Sequence, residues 1–316
     1  MHLSRRTLLG SGAAAMLAAA ITGCSSRSED SGGNATMIVP FAPGGGSDQS
    51  GRALADGLEQ ALGNSISVEN VQGGSGAIGY STFLGMHGDS SQLLATETAM
   101  MVLPLTQDVR FSYRDFTPIF KAGDDYTLVV TRPDAPYADA AELVRAARER
   151  SVLVGVSGAT SLDEIVFSLI EKDQDMRFDR VPYESGGEVL AALLGGHVEA
   201  ASLNPSEVIG QLASGDLRAL CALTPERFEA EALRDIPTGR EQGIDVAFAQ
   251  FRGVIAPGGI TDQQRERWIE AAREYARTDA YRSYLEENYM VEEPLFGEDF
   301  GPYLDRYHDD LAEALS

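Results

Sequence analysis

A glycine-rich loop between a short apolar segment and a helical segment is the feature that most constrains this chain. Residues 37–39 are apolar, residues 40–46 hold two prolines and three glycines, and residues 49–62 follow a helical pattern. Ser47 and Asp48 are good N-cap types, so we expect them to start the helix. The free N–H groups and the dipole of a helix N-terminus favour a bound anion. The loop therefore predicts an anion site, with phosphate, dinucleotide and carboxylate all open at this point.

Strand and helix patterns alternate along the rest of the chain, and the opening arrangement is repeated. A strand at 152–156 leads through the small polar loop 157–161 into a helix at 162–172. Such alternation predicts parallel or mixed sheets covered by helices, with loops gathered where ligands bind, at the carboxyl ends of the strands. We expect two α/β lobes joined by crossovers near 132–136 and 250–256, with a hinge-closing cleft between them.

The N-terminus has the pattern of an export signal. Residues 1–23 combine the basic pair Arg5-Arg6 with a short apolar run, too short for a normal membrane span. The run 21–24 resembles the bacterial lipobox, so we expect Cys24 to carry lipid, with 24–35 as a flexible tether. An ordinary cleaved signal with an incidental Cys24 is the alternative. The second cysteine, Cys221, lies in an apolar run and is expected in a buried strand.

The charge balance excludes some partners. The chain holds 48 acidic and 25 basic residues, a formal net charge of −23. Nucleic acids and anionic membrane surfaces need clustered Lys and Arg, so neither is expected as a partner. An anionic ligand must then be held by local dipoles against an unfavourable overall field.

Motifs for chemistry are weak. Residues 74–79 fit Gly-x-Gly-x-x-Gly but follow the second strand, and no Lys of a phosphate loop follows the first glycines. None of the four histidines pairs by motif with a nucleophile, and metal-ligand spacing is absent. We therefore expect no cofactor, no metal and no catalytic residues. Neighbouring acidic residues such as Asp124-Asp125 are expected on the solvated surface.

Several motifs, taken in order, resemble one family. Pro-Phe-Ala-Pro-Gly-Gly-Gly-Ser-Asp at 40–48 is similar to the first loop of the extracytoplasmic solute receptors of tripartite tricarboxylate transporters, the TctC or Bug family. Further similarity lies at 69–79, 115–119, 182–200 and 237–243. The sequence departs from the family pattern at Val156, where a serine is usual, and at Phe251-Arg252, where a tryptophan is usual.

The resemblance implies a two-lobed fold of the type II periplasmic-binding-protein kind. Lobe 1 is expected at 36–132 plus 256–316 and lobe 2 at 133–255. The implied function is capture of a small carboxylate in the interlobe cleft and its delivery to the permease subunits of a tripartite transporter. We expect an exported monomer, lipid-anchored at the outer face of the cytoplasmic membrane, either at the cell surface or in the periplasm. The residues expected to bind the ligand are Phe41, Gly44, Gly45, Gly46, Ser47, Asp48, Ser75, Gly76, Ser157, Thr160, Ser161, Tyr183, Gly186, Gly187 and Asn204.

Some alternatives stay open at the level of sequence. Asp48 fits either a helix cap or an acceptor for a ligand group, and Arg252 either pairs with an anion or forms a surface or interlobe salt bridge. An exported α/β enzyme and a sensory receptor for a two-component kinase are the competing functions.

Overall fold

The computed structural model describes residues 33–158, 160–183 and 185–315, which form two α/β lobes. The signal at 1–23, Cys24 and most of the expected tether lie outside the described residues. Ala35, the last residue of the expected tether, already belongs to the first strand. In the described part, no helix is both long and apolar enough to cross a membrane.

Lobe 1 is built on a six-stranded mixed sheet in the order β11-β4-β10-β3-β1-β2. Strands β1 to β3 are parallel, and β10 runs antiparallel to both β3 and β4. Its strands are β1 (Ala35–Val39), β2 (Ile66–Asn70), β3 (Gln92–Thr96), β4 (Phe116–Tyr126), β10 (Ala249–Pro257) and β11 (Val291–Phe296). Its helices are α1 (Gly46–Leu62), α2 (Ala77–Leu84), α3 (Ala99–Thr106), α8 (Asp262–Tyr275), α9 (Asp279–Glu287) and α10 (Phe300–Ala314).

Lobe 2 is built on a five-stranded sheet in the order β7-β6-β8-β5-β9. Strands β6, β7 and β8 are parallel, and β5 is antiparallel to β8 and β9. Its strands are β5 (Leu128–Thr131), β6 (Leu153–Val156), β7 (Asp179–Pro182), β8 (Ala200–Leu203) and β9 (Arg218–Ala222). Its helices are α4 (Ala140–Glu149), α5 (Leu162–Gln174), α6 (Gly186–Leu194) and α7 (Pro205–Ser214).

Each sheet is covered on both faces, because successive side chains of its strands point to opposite faces and both sets are apolar. In β1, Met37 and Val39 pack in the core beneath α1 and α8, whereas Ile38 packs in the core beneath α2, α3 and α10. Lobe 2 repeats this, with Val129 on one side of its sheet and Val130 on the other. Cys221 lies in β9 and is fully buried, which confirms the expected strand.

The chain passes between the lobes at Thr127, between β4 and β5, and returns just before β10, since residues up to Val246 still pack in the cores of lobe 2. The sheets therefore change before the boundaries expected at 132/133 and 255/256. The sequence pattern was misleading because 126–131 is one apolar stretch, although Tyr126 pairs with Ala249 in lobe 1 and Leu128 pairs with Leu203 in lobe 2.

Candidate ligand cleft

The glycine loop enters its helix earlier than the sequence suggested. Helix α1 starts at Gly46 with Gly45 as N-cap, and the Gln49 N–H donates to the Gly45 carbonyl at 3.0 Å. The expectation that Ser47 or Asp48 is the N-cap is therefore wrong. Gly44 has φ +90°, a conformation that glycine adopts without strain, and this turns the chain into the helix. The first amides of α1 have no partner within the helix, and Gly45 and Gly46 at its start are exposed.

Asp48 stabilises this loop from inside. It is buried, and it accepts from the Gly44 N–H at 2.9 Å, from Arg52 Nε at 3.0 Å and from Asn70 Nδ2 at 2.8 Å. Burial raises the pKa of the Asp48 carboxyl, but the bonds from Arg52, Gly44 and Asn70 outweigh it and lower the pKa to about 2. Both carboxylate oxygens thus serve the loop, and Asp48 holds Gly44 beside the start of α1.

The second glycine loop packs against the first. Ser75 and Gly76 both have positive φ, 54° and 98°, so the chain turns sharply into α2. A Cβ built on Gly76 would lie 3.1 Å from the Phe41 ring, so only glycine fits here with ease. Asn70 Nδ2 also donates to the Phe41 carbonyl at 3.1 Å. Phe41, Ser75 and Gly76 therefore form one contiguous wall of lobe 1.

The matching loop of lobe 2 is organised by Asp163, which the sequence reasoning missed. Its Oδ2 accepts from the Ser157 N–H at 2.7 Å, and the Ser161 hydroxyl donates to the Gly158 carbonyl at 2.6 Å. Burial raises the pKa of Asp163, against the lowering effect of Ser161 and Ser157. Thr160 is buried beside these residues in sequence. An acidic residue two positions into a helix, directly after a Ser-rich loop, was the available signal.

The other expected residues of lobe 2 lie either at the start of a helix or against the core of the lobe. Gly187 is exposed at the start of α6, and a Cβ on Gly186 would lie 2.5 Å from Glu207 Oε1. Tyr183 instead packs against the core of lobe 2, within reach of Gly155. Asn204 is the N-cap of α7, and its Nδ2 donates to Asp125 and to the Tyr126 carbonyl.

The loops of the two lobes face each other. A Cβ built on Gly158 of lobe 2 would lie 4.0 Å from Ser75 Oγ of lobe 1. The parallel strands β1, β2, β6 and β7 all lead into these loops, as the rule for ligand sites in α/β sheets requires. A separate groove lined by Leu169, Lys172 and Phe248 lies at the C-terminal half of α5 and contains none of the expected residues.

Arg252 and the acidic pair before the hinge are buried, not solvated. Asp124 and Asp125 are each 6% exposed, so the expected surface location is wrong. Arg252 Nη1 donates to Glu97, and its Nη2 donates to Asp125 Oδ2 at 2.8 Å. Arg252 therefore forms neither a surface pair nor an open anion contact. Within the described residues, no group of three or more His, Cys, Asp or Glu is placed to hold a metal ion.

Comparison with known proteins decides the family. Residues 51–298 match the family described as the tripartite tricarboxylate transporter family receptor, TctC. The chain belongs to this family. This receptor is 29% identical to protein BugT of Bordetella pertussis over 230 residues, covering 71% of this chain and 70% of BugT.

Solved structures agree on the fold of the receptor. A TctC solute-binding protein from Polaromonas, solved without ligand, has 26% identity and a TM-score of 0.73 over 89% of this chain and 97% of that one. An R. palustris protein solved with adipate has 22% identity and a TM-score of 0.79, with 89% and 96% covered. The two-lobed solute-binding architecture expected from the sequence is confirmed.

Proposed function

We propose that this receptor captures a small carboxylate between its lobes and delivers it to the membrane subunits of a tripartite transporter. The observation that carries the proposal is the start of α1, whose exposed glycines follow Phe41, and Phe41 contacts Gly76 next to the Ser75–Gly158 approach of the two lobes. Unpaired amides and the helix dipole favour a carboxylate there, even in a chain of net charge −23. The adipate bound by the R. palustris protein supports this ligand class.

On this proposal the two lobes supply different contacts. Gly45, Gly46 and Ser47 would supply donors from lobe 1, and Ser157, Thr160, Ser161 and Gly187 would supply contacts from lobe 2. Phe41, Ser75 and Gly76 form the wall beside the ligand, and Gly44 and Asp48 hold the loop in shape. The receptor binds and releases its ligand unchanged, so no cofactor or catalytic residue takes part.

Thermal unfolding with a panel of carboxylates tests this function. We expect at least one of succinate, malate, adipate, citrate, benzoate and glutamate to raise the melting temperature. A ligand at 100 times its Kd adds about 2.7 kcal/mol of stability, because it binds only the folded chain. Uncharged analogues such as adipamide are the matched controls. If no carboxylate shifts the transition of a cooperatively folded sample, the proposal is wrong.

We further propose that the receptor is exported and tethered as a monomer through lipid on Cys24, at the outer face of the cytoplasmic membrane. Support comes from the basic pair Arg5-Arg6, the short apolar run and the sequence Ile-Thr-Gly-Cys at 21–24. A Cys24→Ser variant is expected to lose the lipid and to move from the membrane fraction to the soluble fraction of cells. If that variant stays in the membrane and its mass shows that lipid is still attached, lipid anchoring through Cys24 is wrong.

A further inference from the structure

A buried group of three charged residues lies at the lobe 2 end of the lobe 1 sheet. Glu97, Asp125 and Arg252 are 8%, 6% and 7% exposed. Glu97 follows β3, Asp125 is near the end of β4, and Arg252 lies on β10, which pairs with both strands. The group thus occupies the place where the central strands approach the hinge at Thr127.

The first contacts of the group lead to the ligand loop. Ser47 Oγ donates to Glu97 Oε2 at 2.7 Å, and Arg252 Nη1 donates to that same oxygen. A Cβ built on Gly46 would lie 3.4 Å from Arg252 Nη2, so the guanidinium sits directly behind the start of α1. The group therefore supports the helix N-terminus that we propose as the carboxylate site.

The last contacts of the group lead to lobe 2. Arg252 donates to Asp125 Oδ2 through Nη2 at 2.8 Å and through Nε at 3.2 Å. The other oxygen of Asp125 accepts from Asn204 Nδ2, which also donates to the Tyr126 carbonyl at 3.3 Å. Asn204 is the N-cap of α7 in lobe 2. An unbroken series of polar contacts therefore runs from Ser47 in one lobe to Asn204 in the other.

The charges in this group indicate a role beyond stability. Two buried carboxylates face one guanidinium, and burying ions carries a desolvation penalty that their attraction often fails to offset. All three guanidinium nitrogens of Arg252 already contact carboxylates, which leaves it badly placed to bind a ligand directly. Its geometry suits a bridge between Glu97 and Asp125.

We propose that Arg252 is a positioning residue that couples the two halves of the cleft. Through Glu97 it fixes Ser47 and the first turn of α1. Through Asp125 it presents an acceptor to Asn204, which draws lobe 2 onto lobe 1 when the cleft is closed. The inference rests on the proposed carboxylate receptor function and adds the residues that link ligand affinity to closure.

A double-mutant cycle of Ser47→Ala and Asn204→Ser tests the coupling. In the second variant the serine side chain still suits an N-cap but is too short to reach Asp125. Binding of the carboxylate that gives the largest thermal shift is measured by calorimetry, and the unfolding free energy of each unliganded variant is measured in urea. We expect each single change to weaken binding about 5-fold. The effect of the double change is expected to be smaller than the product of the two single effects by a factor of at least about 3. The changes in unfolding free energy are expected to add, because on this proposal Asn204 draws lobe 2 onto lobe 1 only when the cleft is closed.

The same cycle in an Arg252→Lys background shows whether Arg252 carries the coupling. Lysine keeps the charge but offers one donor nitrogen in place of the three that Arg252 uses, so the contacts to Glu97 and Asp125 should weaken and the coupling of the two changes in binding is expected to fall. If this background does not fold, the cycle in the wild-type background decides alone. Arg150→Gln is the matched control, because Arg150 pairs with Glu199 ahead of β8 in lobe 2 and should affect stability but not affinity. If the wild type binds a carboxylate but the Ser47 and Asn204 changes act independently on affinity, only the coupling is wrong. If the wild type binds no carboxylate, the proposed function is wrong.

Discussion

A Gly46→Pro variant is expected to lose ligand affinity by about 10- to 100-fold while it folds as well as the wild type. Gly46 is the first residue of α1, where proline is well tolerated because that N–H has no partner within the helix. The preceding Gly45 has φ −82° and ψ 174°, which suits a residue before proline. The change therefore removes one amide donor from the proposed carboxylate site. A hydrogen bond to a charged group contributes about 1.5–3 kcal/mol, which corresponds to that loss.

Two matched variants separate the lost amide from other effects. Gly46→Ala keeps the N–H and adds a Cβ at 3.4 Å from Arg252 Nη2, so its affinity should stay close to that of the wild type. Asp262→Pro places proline at the first residue of α8, which follows β10 at the end of the sheet away from the glycine loop. The ligand affinity of this Asp262→Pro variant should not change. Calorimetry with the best carboxylate gives the affinities, and wild-type affinity of Gly46→Pro would show that this amide does not touch the ligand.

A Gly79→Ala variant is expected to lower the free energy of unfolding by about 2–3 kcal/mol. A Cβ on Gly79 would lie 2.5 Å from Pro40 Cβ, 2.7 Å from Pro40 Cα and 2.8 Å from the Val71 carbonyl. Two of these atoms are backbone, so α2 must move away from the loop, and such overpacking outweighs the gain in helix propensity. Urea unfolding followed by circular dichroism measures the difference.

Gly210→Ala is the control for helix propensity. Gly210 lies in α7, and nothing is within 4 Å of a Cβ built there. This variant should be neutral or more stable by up to about 1 kcal/mol, since alanine restricts the unfolded chain. Equal stability of the Gly79 and Gly210 variants would mean that α2 does not pack closely on Pro40.

The alternation of strands and helices could be predicted because local patterns carry it. Strands β1 and β6 follow from the short apolar runs at 37–39 and 152–156. Strand β11 could not be predicted from its pattern, because Pro294 lies inside it. It is the edge strand of its sheet, where a missing N–H is tolerated.

The long strands β4 and β10 could not be predicted in full, because their charges find partners far along the chain. Lys121, Asp124 and Asp125 interrupt the apolar pattern of β4, yet all three are buried. Lys121 pairs with Asp124 and Glu293, and Asp125 pairs with Arg252, 127 positions away. A pattern read over a short window treats such residues as exposed. The ligand loops were accessible to motif reasoning, and Asp163 carried a local signal, but the support by Glu97 and Asp125 was not accessible.

The order in which the chain passes through the two sheets has a consequence for folding during synthesis and export. Lobe 2 is continuous between Leu128 and Ala222, whereas β10, which lies between β3 and β4, begins only at Ala249. When the chain is synthesised from its N-terminus, it can therefore complete the lobe 2 sheet while β4 still lacks the strand that joins it to β1–β3. Lobe 1 becomes a sheet only when residues 249–257 return to its centre, and such distant pairing is slow. Until then β1 and β3 lack the cover that the later helices α8 and α10 provide, and the apolar surface left exposed favours aggregation of the unfinished chain.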